Sequence, residues 1–194
     1  VTGGTTALIT GLVGLGVSTG DEVIVPAYTY IATAAAVLSV GAIPVIAEVD
    51  DTLTLDPADF ERKITPLTRC VIPVHMRGWP AQMDEIMAVA ERHNILVLED
   101  VAQANGGEYK GQKLGSIGHV GIFSFQHYKV ITSGEGGMVI TDDEQVYRRA
   151  ACKHDSAMSF WKAEDEWQPF AGENARMCEL RAAVGYTQFQ RLPG

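Results

Sequence analysis

The apolar positions of this chain gather into short runs separated by amphipathic or turn-rich stretches. The runs 22–26, 42–47, 69–74, 94–98, 120–125 and 138–141 read as strands, and most are near-continuous rather than alternating. A strand without a polar face is buried on both sides. Between the runs, 31–39 and 83–93 carry helical spacing, and a further helix is expected over about 177–189. Asp56-Pro57-Ala58-Asp59 is a helix start, with Asp56 as N-cap and Pro57 at the first helical position. Asp142 is expected to open another helix. Strand and helix thus alternate along the chain, which predicts an α/β fold: a mainly parallel, doubly wound sheet. Ligands of such sheets sit beyond the carboxyl ends of the strands. Tyr30, His75, Asp100 and Ser124 fall at or just after strand ends and are expected on one rim.

Two stretches stand outside the alternation. The segment 2–12 reads as a loop running into a helix, whose threonines can cap the orphan amides and whose N-terminus can hold an anion. Its following glycines, Gly11, Gly14, Gly16 and Gly20, lack the G-x-G-x-x-G spacing of a dinucleotide site and read as the weak end of that helix. The segment 155–173 is polar but carries Phe160, Trp161, Trp167 and Phe170, the mark of a functional loop or an interface.

Composition narrows the function. The 194 residues suit one large domain, and a formal net charge of −9 without any basic stripe argues against a nucleic-acid partner. The uncharged run 31–47 contains Thr33, Ser39, Gly41 and Pro44 and divides into helix, turn and strand, so no membrane span is expected. Cys70, Cys152 and Cys178 are scattered and odd in number, as reduced thiols are, and no metal-type spacing joins them to histidines. With no secretory signal at Val1-Thr2-Gly3-Gly4, the expected location is cytoplasmic. The start without methionine suggests that a segment precedes it.

The densest chemistry lies in 123–137, where Lys129 stands between an apolar strand and the turn Gly134-Glu135-Gly136-Gly137. Partial desolvation there lowers a lysine pKa and readies the amine for Schiff-base chemistry. An anion site at Thr5 and Thr6, an aromatic at Tyr30, a carboxylate at Asp100 and a hydroxyl at Ser124 complete a set. Pyridoxal phosphate (PLP) needs such parts: a lysine, a carboxylate for the pyridine nitrogen, a ring to stack on and donors for the phosphate.

Several blocks carry a family resemblance: Gly3-Gly4-Thr5-Thr6-Ala7-Leu8, Pro26-Ala27-Tyr28-Thr29-Tyr30-Ile31-Ala32-Thr33 and Gly41-Ala42-Ile43-Pro44-Val45. Glu99-Asp100-Val101-Ala102-Gln103-Ala104, Phe123-Ser124-Phe125-Gln126 and Lys129-Val130-Ile131-Thr132-Ser133-Gly134-Glu135-Gly136-Gly137 extend it. In these the chain resembles the DegT/StrS-type sugar aminotransferases of PLP fold type I, over essentially its whole length. The resemblance implies Lys129 as the aldimine lysine and Asp100 as the partner of the pyridine nitrogen. It also implies Gln103 at the cofactor's hydroxyl or ring face, Tyr30 stacked on the ring, and Thr5, Thr6 and Ser124 on the phosphate. Gly172-Glu173-Asn174-Ala175-Arg176-Met177 resembles a family motif whose asparagine reaches the neighbouring subunit's phosphate, so Asn174 implies a homodimer with shared sites. Residues 1–194 would then be the PLP-binding large domain, without the family's C-terminal small domain.

The implied reaction moves an amino group from glutamate or glutamine to a nucleotide-linked keto sugar. A cyclitol ketone is the alternative substrate, and a catalytically idle or regulatory protein on this fold is the alternative role. A related PLP- and iron–sulfur-dependent dehydratase branch carries histidine where this chain has Lys129.

Overall fold

The computed structural model describes residues 1–155 and 170–192. Most of the segment expected to form the aromatic loop, with Phe160, Trp161 and Trp167, lies outside the described residues.

Five parallel strands and one antiparallel strand form the central sheet: β1 (Glu22–Pro26), β2 (Ile43–Ala47), β3 (Thr68–Val71), β4 (Leu96–Asp100), β7 (Val120–Ser124) and β8 (Gly137–Ile140). Their spatial order is β2-β1-β3-β4-β7-β8, and β8 runs against β7. The mainly parallel sheet expected from the apolar runs is present. The alternation of side chains shows why those runs are continuous. Val23, Val25, Cys70, Ile72 and Leu98 enter one core cluster, while Ile24, Val71 and Val97 enter another. The first is filled from α1 (Gly4–Gly14) and α2 (Ala32–Ser39), the second from α3 (Pro57–Lys63) and α4 (Met83–His93). Both faces are covered, so both phases of the strand period are apolar.

Local chemistry sets most element ends. Asp56 accepts from the Ala58 N–H at 2.8 Å, and Pro57 opens α3. In α5 (Glu144–His154) the cap is Asp143, which accepts from Gln145 and Val146 N–H, one residue beyond the expected start. Asn94 takes the left-handed conformation after α4, a common helix stop. β3 is shorter than its apolar run because Pro73 carries no N–H for the ladder. The run rejoins the sheet at Val74, where Asp100 N–H donates to the Pro73 carbonyl at 2.9 Å.

Two expectations for α1 change. Its N-cap is Gly3, and no threonine side chain caps it: the Thr6 hydroxyl meets that of Thr2 instead. Gly11 and Gly14 are buried packing positions within α1 rather than a weak end. A Cβ on Gly11 would stand 2.9 Å from Leu98 Cδ1, so glycine lets α1 lie close against β4 and β7. A hairpin of β5 (Glu108–Tyr109) and β6 (Gln112–Lys113), not expected from the pattern, turns on Lys110 and Gly111, both at positive φ. The final helix α6 (Glu179–Phe189) buries none of its residues and leaves Leu180, Tyr186 and Phe189 exposed.

Candidate active site

The carboxyl ends of β1, β4 and β7 open onto a cavity of about 570 Å³, walled also by the start of α1 and the loop between β7 and β8. Thr5, Tyr30, Asp100, Gln103, Ser124 and Lys129 all line it. They come from distant parts of the sequence, and the parallel sheet brings them together because each follows a strand end or a helix start. Thr6 and Asn174 are not among the lining residues. Asn174 is exposed, bridges to Asp155 through its backbone, and its Oδ1 accepts from Arg176 Nε at 3.3 Å.

Asp100 is the last residue of β4 and only 4 % exposed. Its Oδ1 accepts from the Ala102 N–H at 3.0 Å and its Oδ2 from the Thr33 hydroxyl at 3.1 Å. Burial pushes its pKa up; those two donors and the positive charge of Lys129 oppose the rise without cancelling it. Lys129, half-buried, moves the other way: burial lowers its pKa, and the attraction of Asp100 offsets part of the drop. An amine nearer neutrality and a dry carboxylate therefore share one cavity.

Gly4 explains how the α1 N-terminus reaches this cavity. A Cβ there would stand 2.7 Å from Ser124 Cβ, so only glycine lets the first turn meet the end of β7. The opening amides of α1 have no side-chain cap, and the Thr5 and Ser124 side chains line the cavity beside them. Uncapped first-turn amides favour an anion. Ser124 is held from behind, its carbonyl accepting from Asn105 Nδ2 at 2.9 Å.

His75, expected on the rim, is instead fully buried beneath it. Its Nδ1 accepts from Ala81 N–H, so Nε2 carries the proton and faces Glu99 Oε2 at 3.0 Å. Glu99 also accepts from the N–H groups of Gly115, Ile117 and Gly118. Burial alone would raise its pKa, but the His75 hydrogen bond and the Gly118 and Gly115 amides prevail, leaving it lowered. Sequence reasoning passed over four cavity residues, Thr29, Thr33, Gln126 and Glu135. All four lie inside the blocks already singled out, but no spacing marks which side of the loop each takes.

A mainly parallel α/β layer with a buried carboxylate and a half-buried lysine at the carboxyl rim defines a fold type I site. Residues 1–194 match the DegT/DnrJ/EryC1/StrS aminotransferase family, and the chain belongs to it. It is 45 % identical over 190 residues to GDP-perosamine synthase of Caulobacter vibrioides, covering 97 % of this chain and 51 % of that protein. With L-glutamine:2-deoxy-scyllo-inosose aminotransferase of Streptoalloteichus tenebrarius it shares 42 % over 198 residues, covering 97 % and 47 %. Among solved structures, the aminotransferase from Psychrobacter cryohalolentis superposes with a TM-score of 0.89 at 40 % identity, covering 98 % of this chain and 51 % of that one. Spr1654 from Streptococcus pneumoniae, in its PLP form, gives 0.86 at 32 % identity, covering 98 % and 54 %. The chain thus spans about half the length of the relatives it matches.

Proposed function

We propose that residues 1–194 are the PLP-binding large domain of an aminotransferase that acts on a nucleotide-linked keto sugar, with glutamate or glutamine as amino donor. The observation that carries this reading is the pairing of Lys129, its pKa lowered by burial, with the buried Asp100 in one cavity.

The donor set fits the cofactor. Lys129 would bond its aldehyde carbon, Asp100 would face its ring nitrogen, and Tyr30 would cover the ring. Gln103 would contact its hydroxyl or ring face. Thr5, Ser124 and the first-turn amides of α1, that of Thr6 among them, would hold the phosphate. When bound, PLP supplies a carbonyl for amines and a ring that accepts electrons. The chain's own groups do the rest. A lysine whose pKa is lowered keeps more of its amine neutral near pH 7, so Lys129 Nζ can attack carbon and later take and return a proton. Asp100 presents a fixed negative charge with little water to screen it, which would favour a proton on a ring nitrogen held against it.

A second substrate reading, a cyclitol ketone, is supported by the inosose aminotransferase among the relatives. The nucleotide-sugar reading takes precedence because GDP-perosamine synthase is matched over 97 % of this chain, whereas the inosose aminotransferase of Micromonospora echinospora, at the higher identity of 49 %, is matched over 76 %. For the active assembly, we infer a homodimer in which Asn174 reaches the partner's phosphate site. Its exposure outside the cavity of its own subunit favours that role. The exposed Tyr30, Ile31, Leu180 and Tyr186 supply apolar surface for such an interface. Three free cysteines fit a cytoplasmic location.

Borohydride reduction of the PLP-loaded full-length protein should fix the cofactor on Lys129. A label on Lys110, Lys113 or Lys153 instead would overturn the assignment. Assay against a panel of keto sugars and inososes, with glutamate and glutamine, then identifies the substrate. Mixed dimers of Lys129→Ala and Asn174→Ala chains should regain activity in one of their two sites. Hybrids as inactive as both parents would place Asn174 outside the shared site.

A further inference from the structure

The terminal torsion of an aspartate is soft, so a carboxylate needs a donor on each oxygen to stay at one angle. In Asp100 the Ala102 N–H holds Oδ1. Oδ2 is held by Thr33, a residue of α2 only 1 % exposed, whose hydroxyl lies 3.1 Å away. Behind it, the Thr29 hydroxyl stands 2.8 Å from the Thr33 oxygen, and Thr29 lines the cavity with Asp100. We propose that Thr29 and Thr33 form a two-hydroxyl relay in which Thr33 is the positioning residue for Asp100. The proposal rests on the cofactor reading above.

The order of donors in the relay follows from proton counting. An ionised carboxylate only accepts, so the single hydroxyl proton of Thr33 must point to Asp100. The Thr33 oxygen then has only lone pairs left, and the proton between the two threonines belongs to Thr29. A chain of hydroxyls polarised in one direction strengthens each bond in it and stabilises the charge at its end. Thr33 is held for this task. Its backbone N–H donates to the Tyr30 carbonyl at 3.0 Å, at the start of α2, and its β-branched side chain has few rotamers in a helix. The other groups that bear on Asp100 are the buried imidazole of His75, the charge of Lys129, and Glu135, Tyr30 and Tyr128 on the cavity wall. Of these, no side chain hydrogen-bonds to the carboxylate, so among the described residues Thr33 is its one side-chain donor.

A simpler role exists: Thr29 and Thr33 could merely staple the first turn of α2. The two roles separate in the pH dependence of cofactor binding. Thr33→Val keeps the shape and removes the proton donor to Asp100. In the full-length protein, PLP titrated by absorbance should bind about tenfold or more weakly, the scale of a lost donor to a buried charge. The pH at which binding fails on the acid side should also move up, because Asp100 protonates more easily. Thr33→Ser, which keeps the hydroxyl, should recover most of both effects, and Thr29→Val should shift the same limb by less. Wild-type affinity and an unmoved acid limb in Thr33→Val would overturn the relay, as would an equal loss in Thr33→Ser. Should Thr33→Val fail to fold, an unmoved acid limb in Thr29→Val overturns it. Asp100→Asn separates the two layers of argument. If it weakens PLP binding while Thr33→Val does not, only the relay falls. If neither does, the cofactor reading falls too.

Discussion

Nε2 of His75 stands 3.0 Å from Oε2 of Glu99, and both side chains are fully sealed from solvent. They form the anchor under the active rim. Glu99 and Asp100 are successive residues of β4, so their side chains take opposite faces of the sheet. One grips the loop 115–118 through three backbone amides, and the other lines the cavity. The His75 backbone N–H donates to the Asp100 carbonyl at 3.1 Å, tying the anchor to the end of the strand that opens on the cavity.

Removing the Glu99 charge should therefore cost stability in a pH-dependent way. Its folded pKa is lowered, so its contribution is present above the unfolded glutamate pKa and is lost as pH falls through the folded one. Glu99→Gln should lose roughly 3 kcal/mol at pH 7, since a neutral amide replaces a charge that several donors share. Denaturant unfolding at a series of pH values checks this. The gap between variant and wild type should narrow on acidification, and a constant gap would contradict the anchor.

Asp100 is expected to behave in the opposite sense. Burial raises its pKa, so the folded chain without cofactor holds the proton more tightly than the unfolded chain and is penalised at neutral pH. Asp100→Asn, measured by thermal unfolding without PLP, should be at least as stable as wild type at pH 7. The advantage should vanish below the unfolded aspartate pKa. The same variant should bind PLP more weakly and lose orders of magnitude in turnover. A variant that is both less stable and fully active would contradict the assignment.

Lys129 and Asp100 attract each other across the cavity, so each change should be felt by the other. In Asp100→Asn without cofactor, the Lys129 amine loses the carboxylate that raises its pKa and should titrate still lower. The pH dependence of amine modification at Lys129, followed by mass spectrometry, reads this directly. An unchanged or raised midpoint would mean that the two groups do not share a field.

The sheet was legible because burial on both faces leaves a plain mark, the unbroken apolar strand. The carboxylate was legible because it ends such a strand, and the lysine because it stands between one and a glycine-rich turn. What escaped depends on direction rather than position. His75 and Ser124 both follow apolar runs, but Ala81 and Glu99 draw the imidazole into the interior while Ser124 stays on the rim. Gly11 reads as part of a helix's weak end because its reason lies across space, in the Leu98 side chain. Thr33 sat within a singled-out block, yet its partner is 67 residues away. No local pattern announces that pairing.

The reversed last strand has a consequence for how the lysine is carried. β7 and β8 form a hairpin, with Ser124 opposite Gly137, and Phe125 N–H continues the ladder to the Gly136 carbonyl at 2.8 Å. Ser133 N–H then returns to the Phe125 carbonyl at 2.9 Å, closing the loop at its neck. Lys129 thus rides on a closed lariat whose two ends are tied to each other before they are tied to anything else. A change of loop length there would alter the reach of the amine and leave the carboxylate and the helix start where they are.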